Sequence, residues 1–148
     1  MTTTTATPAD ARTLGLAHYA ARAVLEGVLA RHGLGFQQQI VLRPVALAAG
    51  PVDRGRLAAD TVAALKVDAD SAEGTIDELI TAGLLRTDAS DVRITDAGRE
   101  LYERITKETG AASARIWGDI PEADLVTTGR VLTLITERAN AELAAMTK

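Results

Sequence analysis

Residues 61–85 read TVAALKVDADSAEGTIDELITAGLL, and residues 92–101 read VRITDAGREL. Apolar residues recur at three- and four-residue steps on either side of the polar break KVDAD, the pattern of two amphipathic helices joined by a short turn. The first helix is expected from about Arg54 to Leu65, with Leu57, Thr61, Val62 and Leu65 on its buried side. The second is expected from about Ser71 to Ala82. Asp70 is its predicted N-cap, Glu73 the reciprocal partner of a capping box, and Gly83 suits the left-handed position that closes it. LLRT and VRIT, separated by DASD, then predict a small hairpin. Helix, short turn, helix and hairpin make a winged helix-turn-helix, whose second helix is presented outward.

Further helices flank this motif. Leu14, Ala17, Ala21, Val24, Leu25, Val28 and Leu29 mark an amphipathic helix over residues 10–32, ended by RHGLG. A second runs from Phe36 towards Ala49. Pro44 inside it lacks an N–H and crowds the carbonyl of Ile40, which predicts a bend. After the hairpin, TDAGRELYERITKETGAASARIWG reads as a long helix capped by Thr95 or Asp96. Asp119 and Glu122 predict another capping box, with Pro121 in the first turn of a last helix that carries Leu125, Leu132, Ile135, Ala139 and Leu143. The fold class is mainly α with a small β-hairpin wing.

The 148 residues suffice for one domain, and 47% are apolar, enough to form a core. With one Trp, two Tyr and one Phe, that core must be built from Leu, Val, Ile and Ala, which favours helices. The absence of cysteine excludes disulfides, thiol nucleophiles and Cys-ligated zinc. The opening MTTTTATPAD has no basic or apolar segment of a secretory signal, so residues 1–9 are expected to be a flexible Thr-rich tail. No apolar run approaches the roughly 20 residues of a membrane helix, and a soluble, cytoplasmic protein without membrane contact is expected. The only histidines are His18 and His32, and no HExxH, Walker or nucleophile-elbow pattern occurs. No metal, cofactor or catalytic residue is expected; an acid–base role for His18 with Glu26 or Tyr19 is the one conceivable enzymatic arrangement.

The two quoted stretches, followed by IPEADLVTTGRVLTLITERANAEL over residues 120–143, resemble the MarR family of bacterial transcriptional regulators. The likeness extends over residues 14–143. ELITAGLL-type helix ends occur in many winged helices, and the full order of elements is the more specific signal. The resemblance implies a homodimer joined by N- and C-terminal dimerisation helices, residues 10–50 and 106–148, around a winged helix-turn-helix at residues 51–105. It also implies paired recognition helices on double-stranded DNA, and a small, aromatic or anionic ligand in a crevice between the dimer region and the winged part. Ligand binding there would shift the population between two states, as in a ligand-responsive repressor.

Matched position by position, Asp70, Ser71, Glu73 and Gly74 stand where the family places its DNA contacts, and only Ser71 keeps the usual chemistry. Residues 51–105 hold seven basic and twelve acidic side chains, net −5, against +1 for the remainder. Phosphate neutralisation normally calls for the opposite asymmetry. The DNA-side candidates are Ser71 and Thr75 on the recognition helix, Arg86 and Arg93 on the wing, and Arg54, Arg56 and Lys66 as supporting cations. The ligand-side candidates are His18, Tyr19 and Arg22 on the first helix, Phe36, Gln38 and Arg43 on the second, and Trp117. Arg22 and Glu26 are also readable as a surface ion pair, and Trp117 as part of a dimer core. Two readings stay open: a DNA-binding regulator with a thin basic rim, or a dimer that has lost DNA binding and binds or transforms a small molecule. A third presents the acidic helix to a basic protein partner.

Overall fold

In the computed structural model, residues 5–147 are described; residues 1–4 of the Thr-rich tail, like Lys148, lie outside the described residues. Residues 5–10 are exposed and without regular structure. Two compact units are present, one ending at Ala112 and the other beginning at Ser113. Among the described residues no helix is long and apolar enough to cross a membrane.

The first unit opens with α1, Ala11–Ala30, capped by Asp10, whose carboxylate accepts from the Thr13 N–H at 2.7 Å. A turn through Gly33, in the left-handed region at φ 70°, leads to α2, Phe36–Leu47, which contains Pro44. Two residues, Val52–Asp53, form β1. Asp53 then caps α3, Arg54–Leu65, by accepting from the Arg56 N–H at 2.8 Å. Lys66, left-handed at φ 58°, closes α3, and α4 follows over Ala69–Thr81. The hairpin is β2, Leu85–Asp88, and β3, Asp91–Ile94, turned by Ala89 at positive φ and Ser90.

In α4 the buried residues are Ala72, Thr75, Ile76 and Leu79. Their three- and four-residue spacing gives one inward stripe. It meets Leu29 of α1, Leu42 of α2, Leu57 of α3, Leu85 and Val92 of the hairpin and Ile105 further along, all in one core. Burial of each large aliphatic side chain contributes about 1.5–3 kcal/mol. The same stripe leaves every acid of α4 outside that core.

Two local expectations are corrected, and the expected hairpin gains a third strand. The α4 helix begins two residues earlier than predicted: Asp68, not Asp70, caps it, accepting from the Ser71 N–H at 2.7 Å, and Glu73 makes no capping box. The wing is a three-stranded antiparallel sheet, order β1-β3-β2, because Val52 and Asp53 pair with Val92 and Asp91. In the second unit α6, Glu122–Met146, has Pro121 at its cap position and no side-chain cap, and Asp119 instead takes a left-handed turn at φ 66°.

The long helix α5, Asp96–Trp117, starts in the first unit and ends in the second. Thr95 caps it: its Oγ1 accepts from the Gly98 N–H at 3.0 Å and donates to the Gly83 carbonyl at 2.6 Å. Further along, Glu108 binds the turn after α1, receiving Arg31 Nη2 at 2.8 Å and lying 3.1 Å from His32 Nε2. The Arg31 hydrogen bond, aided by His32, holds the Glu108 carboxyl below its ordinary value of 4.5. A depressed carboxyl stabilises the fold above the unfolded-state value and ceases to do so as pH falls through the folded one. The stability gap between the wild type and Glu108→Gln, measured by urea unfolding, is therefore expected to be open above pH 4.5 and to narrow progressively as pH falls below it. A gap independent of pH over that range would remove the trio from the stability of the first unit.

Candidate functional site

Five acids and no base occur on the α4 segment before Arg86, and four of the five are bound within the chain. Asp68 caps the helix. Arg54, the first residue of α3, reaches across to α4, where its Nε donates to Glu73 and its Nη2 to Asp77, both at 2.8 Å. Glu73 and Asp77 are one helical turn apart, so one guanidinium serves both. The Arg54 side chain is only 28% exposed, and the Asp77 hydrogen bond, then Glu73, raises its pKa against the opposing effect of burial. Glu78 accepts from Gln38 Nε2 of α2 at 3.0 Å. Asp70 lies in the first turn, where a negative charge meets the helix dipole favourably. The acids of α4 thus fasten it to α3 and α2.

This arrangement redistributes the cations expected on the DNA side. Arg54 is committed to Glu73 and Asp77. Arg93 Nε donates to Asp88 at 2.7 Å within the hairpin. Directly across the strands from Arg93 stands Arg86, exposed and without an ion-pair partner among the described residues. Arg56 lies 3.9 Å from Asp60, both well exposed, a separation and exposure that bind it weakly. Lys66 is exposed at the end of α3, its ammonium donating to the Ala63 carbonyl. Ser71 is exposed, whereas Thr75 is 5% exposed and turned inward. Gln37 Nε2 of α2 donates to Thr75 Oγ1 at 2.8 Å and to Ser71 Oγ at 3.0 Å.

Between α1, α2 and α4 lies a crevice of about 580 Å³. On its α1 wall, Arg22 pairs with Glu26 at 3.1 Å and lies 4.0 Å above the Phe36 ring. Gln37 and Gln38 line the α2 wall; Ser71, Gly74, Thr75 and Glu78 line the α4 wall. Of the ligand-side residues expected from sequence, Arg22, Phe36 and Gln38 are in this lining, and His18, Tyr19, Arg43 and Trp117 are not. His18 and Tyr19 touch each other edge to face, ring centroids 6.0 Å apart, with Tyr19 68% exposed. Arg43 is exposed on α2, and Trp117, in the second unit, is 51% exposed. From sequence alone the Gln37–Gln39 run reads as a plain polar face. Its signal is the placement of three amides in the first turn of a helix, where they can reach a neighbouring helix. Gln39, the third, is buried, and its Oε1 accepts no hydrogen bond from the described residues.

The order α1 to α6 with a three-stranded wing defines a winged helix-turn-helix protein flanked by long helices. No protein-family model and no curated protein matches the sequence. Solved structures do match the fold, and it is that of the MarR-family transcriptional regulators. NadR in its ligand-free form is 22% identical, with a TM-score of 0.73, over 90% of this chain and 98% of that one. CouR from Rhodococcus jostii RHA1, solved bound to p-coumaroyl-CoA, is 22% identical with a TM-score of 0.69, over 83% and 88% of the two chains. A MarR-family transcriptional regulator from Rhodococcus sp. RHA1 is 23% identical with a TM-score of 0.68, over 83% and 89%.

Proposed function

We propose that the protein is a homodimeric, cytoplasmic transcriptional regulator, a repressor that binds double-stranded DNA through α4 and the wing and responds to a small ligand. The observation that carries this reading is the shared wall: Ser71, Gly74, Thr75 and Glu78 of the outward-presented helix also line the crevice. An occupant of the crevice therefore acts directly on the element that would read DNA. Residues 10–50 and 106–148 serve as dimerisation helices around the winged part at residues 51–105. Exposed Leu16, Tyr19 and Val24 on α1, and an α6 without a buried residue, support this role, because large apolar side chains left open call for a cover.

On DNA, Ser71 faces base edges or phosphates, Arg86 is the wing contact, and Arg56 and Lys66 hold phosphates. A dimer then offers six phosphate-binding cations, since Arg54 and Arg93 stay on their carboxylates. Each phosphate contact adds about −0.9 to the slope of log K against log salt, so a slope of about −5 is expected. Fluorescence anisotropy against the protein's own upstream intergenic DNA and a scrambled duplex, over a series of salt concentrations, measures it. A slope near −9 would mean that Arg54 and Arg93 leave their carboxylates on DNA.

The commitment of Arg54 to Glu73 and Asp77, in a segment of net −5, favours a second reading. In that reading the winged part has lost DNA binding and the dimer works through its crevice alone. Absence of binding to upstream DNA and to selected genomic fragments would decide for it.

A further inference from the structure

We propose that the crevice between α1, α2 and α4 takes a planar organic cation, an amidinium or an aromatic ammonium, rather than the anion expected from sequence. The inference rests on the crevice being the effector site of the proposed regulator, and names the ligand class that site would take.

Three charged side chains line the crevice: Arg22, Glu26 and Glu78, a net charge of −1. The one cation is already engaged, by the Glu26 carboxylate at 3.1 Å and by the face of Phe36 at 4.0 Å. A carboxylate entering here would have to share Arg22 with Glu26, whose charge already offsets it, while lying near the second carboxylate, Glu78. A cation meets the reverse situation. Glu78 receives one neutral donor, Gln38 Nε2 on Oε2, and its Oε1 accepts no hydrogen bond from the described residues. A charge-assisted bond from a ligand N–H to that carboxylate is stronger than the amide bond it joins or replaces. Phe36 adds an aromatic ring to the lining, against which a planar ligand can pack beside the guanidinium that covers one face. The volume, about 580 Å³, is within the range of small-molecule sites.

The same bond gives the ligand its route to α4. Gln38 is fixed at both ends of its amide: Oε1 accepts from the Gly35 N–H at 2.9 Å and Nε2 donates to Glu78 at 3.0 Å. A cation on Glu78 competes with that second bond and loosens one of the two side chains that, among the described residues, hydrogen-bond α2 to α4. Gln37 on Ser71 and Thr75 is the other.

Benzamidinium, benzamide and benzoate share one ring and differ in charge. Their binding to the full-length protein without DNA, by ligand-observed NMR and calorimetry at millimolar concentrations, tests the inference. Benzamidinium is expected to bind at least about tenfold more tightly than benzoate, with the margin lost in Glu78→Gln, which keeps the acceptor for Gln38. Phe36→Leu is expected to weaken benzamidinium and leave the thermal unfolding profile essentially in place. Benzoate binding as tightly as benzamidinium, no binding of any of the three, or benzamidinium affinity unmoved by Glu78→Gln would each overturn the proposal. Anisotropy on DNA is measured separately. DNA binding without benzamidinium binding removes only the ligand class, and benzamidinium binding without DNA binding removes only the regulator.

Discussion

The double substitution Glu73→Gln, Asp77→Asn is expected to raise affinity for duplex DNA on the order of a hundredfold near 0.05 M salt, whatever the duplex sequence. The two carboxylates hold Arg54 at 2.8 Å each, and α3, which Arg54 opens, is the helix that in a helix-turn-helix crosses the DNA backbone. Freeing Arg54 in both subunits adds two phosphate contacts per dimer. Two contacts steepen the salt slope by about 2, a gain on the order of 10²-fold near 0.05 M salt that shrinks to on the order of tenfold near 0.2 M. Removing two acids from each α4 also lessens repulsion. The change in folding stability should stay small, within about 1 kcal/mol, since both carboxylates are more than a third exposed and such pairs contribute little. A gain confined to one sequence would place Glu73 or Asp77 at a base edge. No gain at any salt would show that the winged part does not engage DNA, and the second reading of function would replace the first.

The architecture was legible because the stripes of α3 and α4 and the turn between them are local features. Leu57 and Thr61 on α3, and Ala72, Ile76 and Leu79 on α4, announce their buried faces through spacing alone. The start of α4 was expected two residues too late for a physical reason. Asp68 and Asp70 both qualify as N-caps, and Glu73, three residues after Asp70, mimics the reciprocal half of a capping box. Arg54 claims Glu73 instead, from 19 positions away, and no local pattern reports such a claim. A strand of two residues, Val52–Asp53, shows no alternation and emerges only through its pairing with β3. In the crevice, Arg22 and Glu26 were readable as an i,i+4 pair, whereas the ring beneath Arg22 and the bonds from Gln37 and Gln38 depend on how α2 lies against α1 and α4. The acidic composition of α4 is plain in the sequence. Its meaning is not, because charge counting cannot distinguish an acid facing solvent from one holding a neighbouring helix.

Gly98→Ala is expected to destabilise the first unit by about 3 kcal/mol or more, at the upper end of overpacking costs. The VRITDAGREL stretch places this glycine three residues after Thr95, and the geometry shows why a side chain is excluded. A Cβ at Gly98 would lie 2.1 Å from the Leu84 carbonyl oxygen and 3.0 Å from Ile94 Cγ1. The carbonyl cannot easily yield. It accepts from the Thr95 N–H at 3.0 Å, while Thr95 Oγ1 is donating to Gly83 and capping α5. Neighbouring Leu85 is registered against Ile94 in the hairpin. Moving Leu84 therefore disturbs the α4 exit, the hairpin and the α5 cap together. For a chain of this size the loss should lower the melting temperature by on the order of 10 °C. Gly110 lies in the same helix with nothing within 4 Å of an added Cβ. Gly110→Ala should stabilise by about 0.5–1 kcal/mol through helix propensity alone. Thermal unfolding of the two variants side by side separates close packing from propensity: opposite signs are expected, and a matching gain from both would mean that α5 does not begin against Leu84.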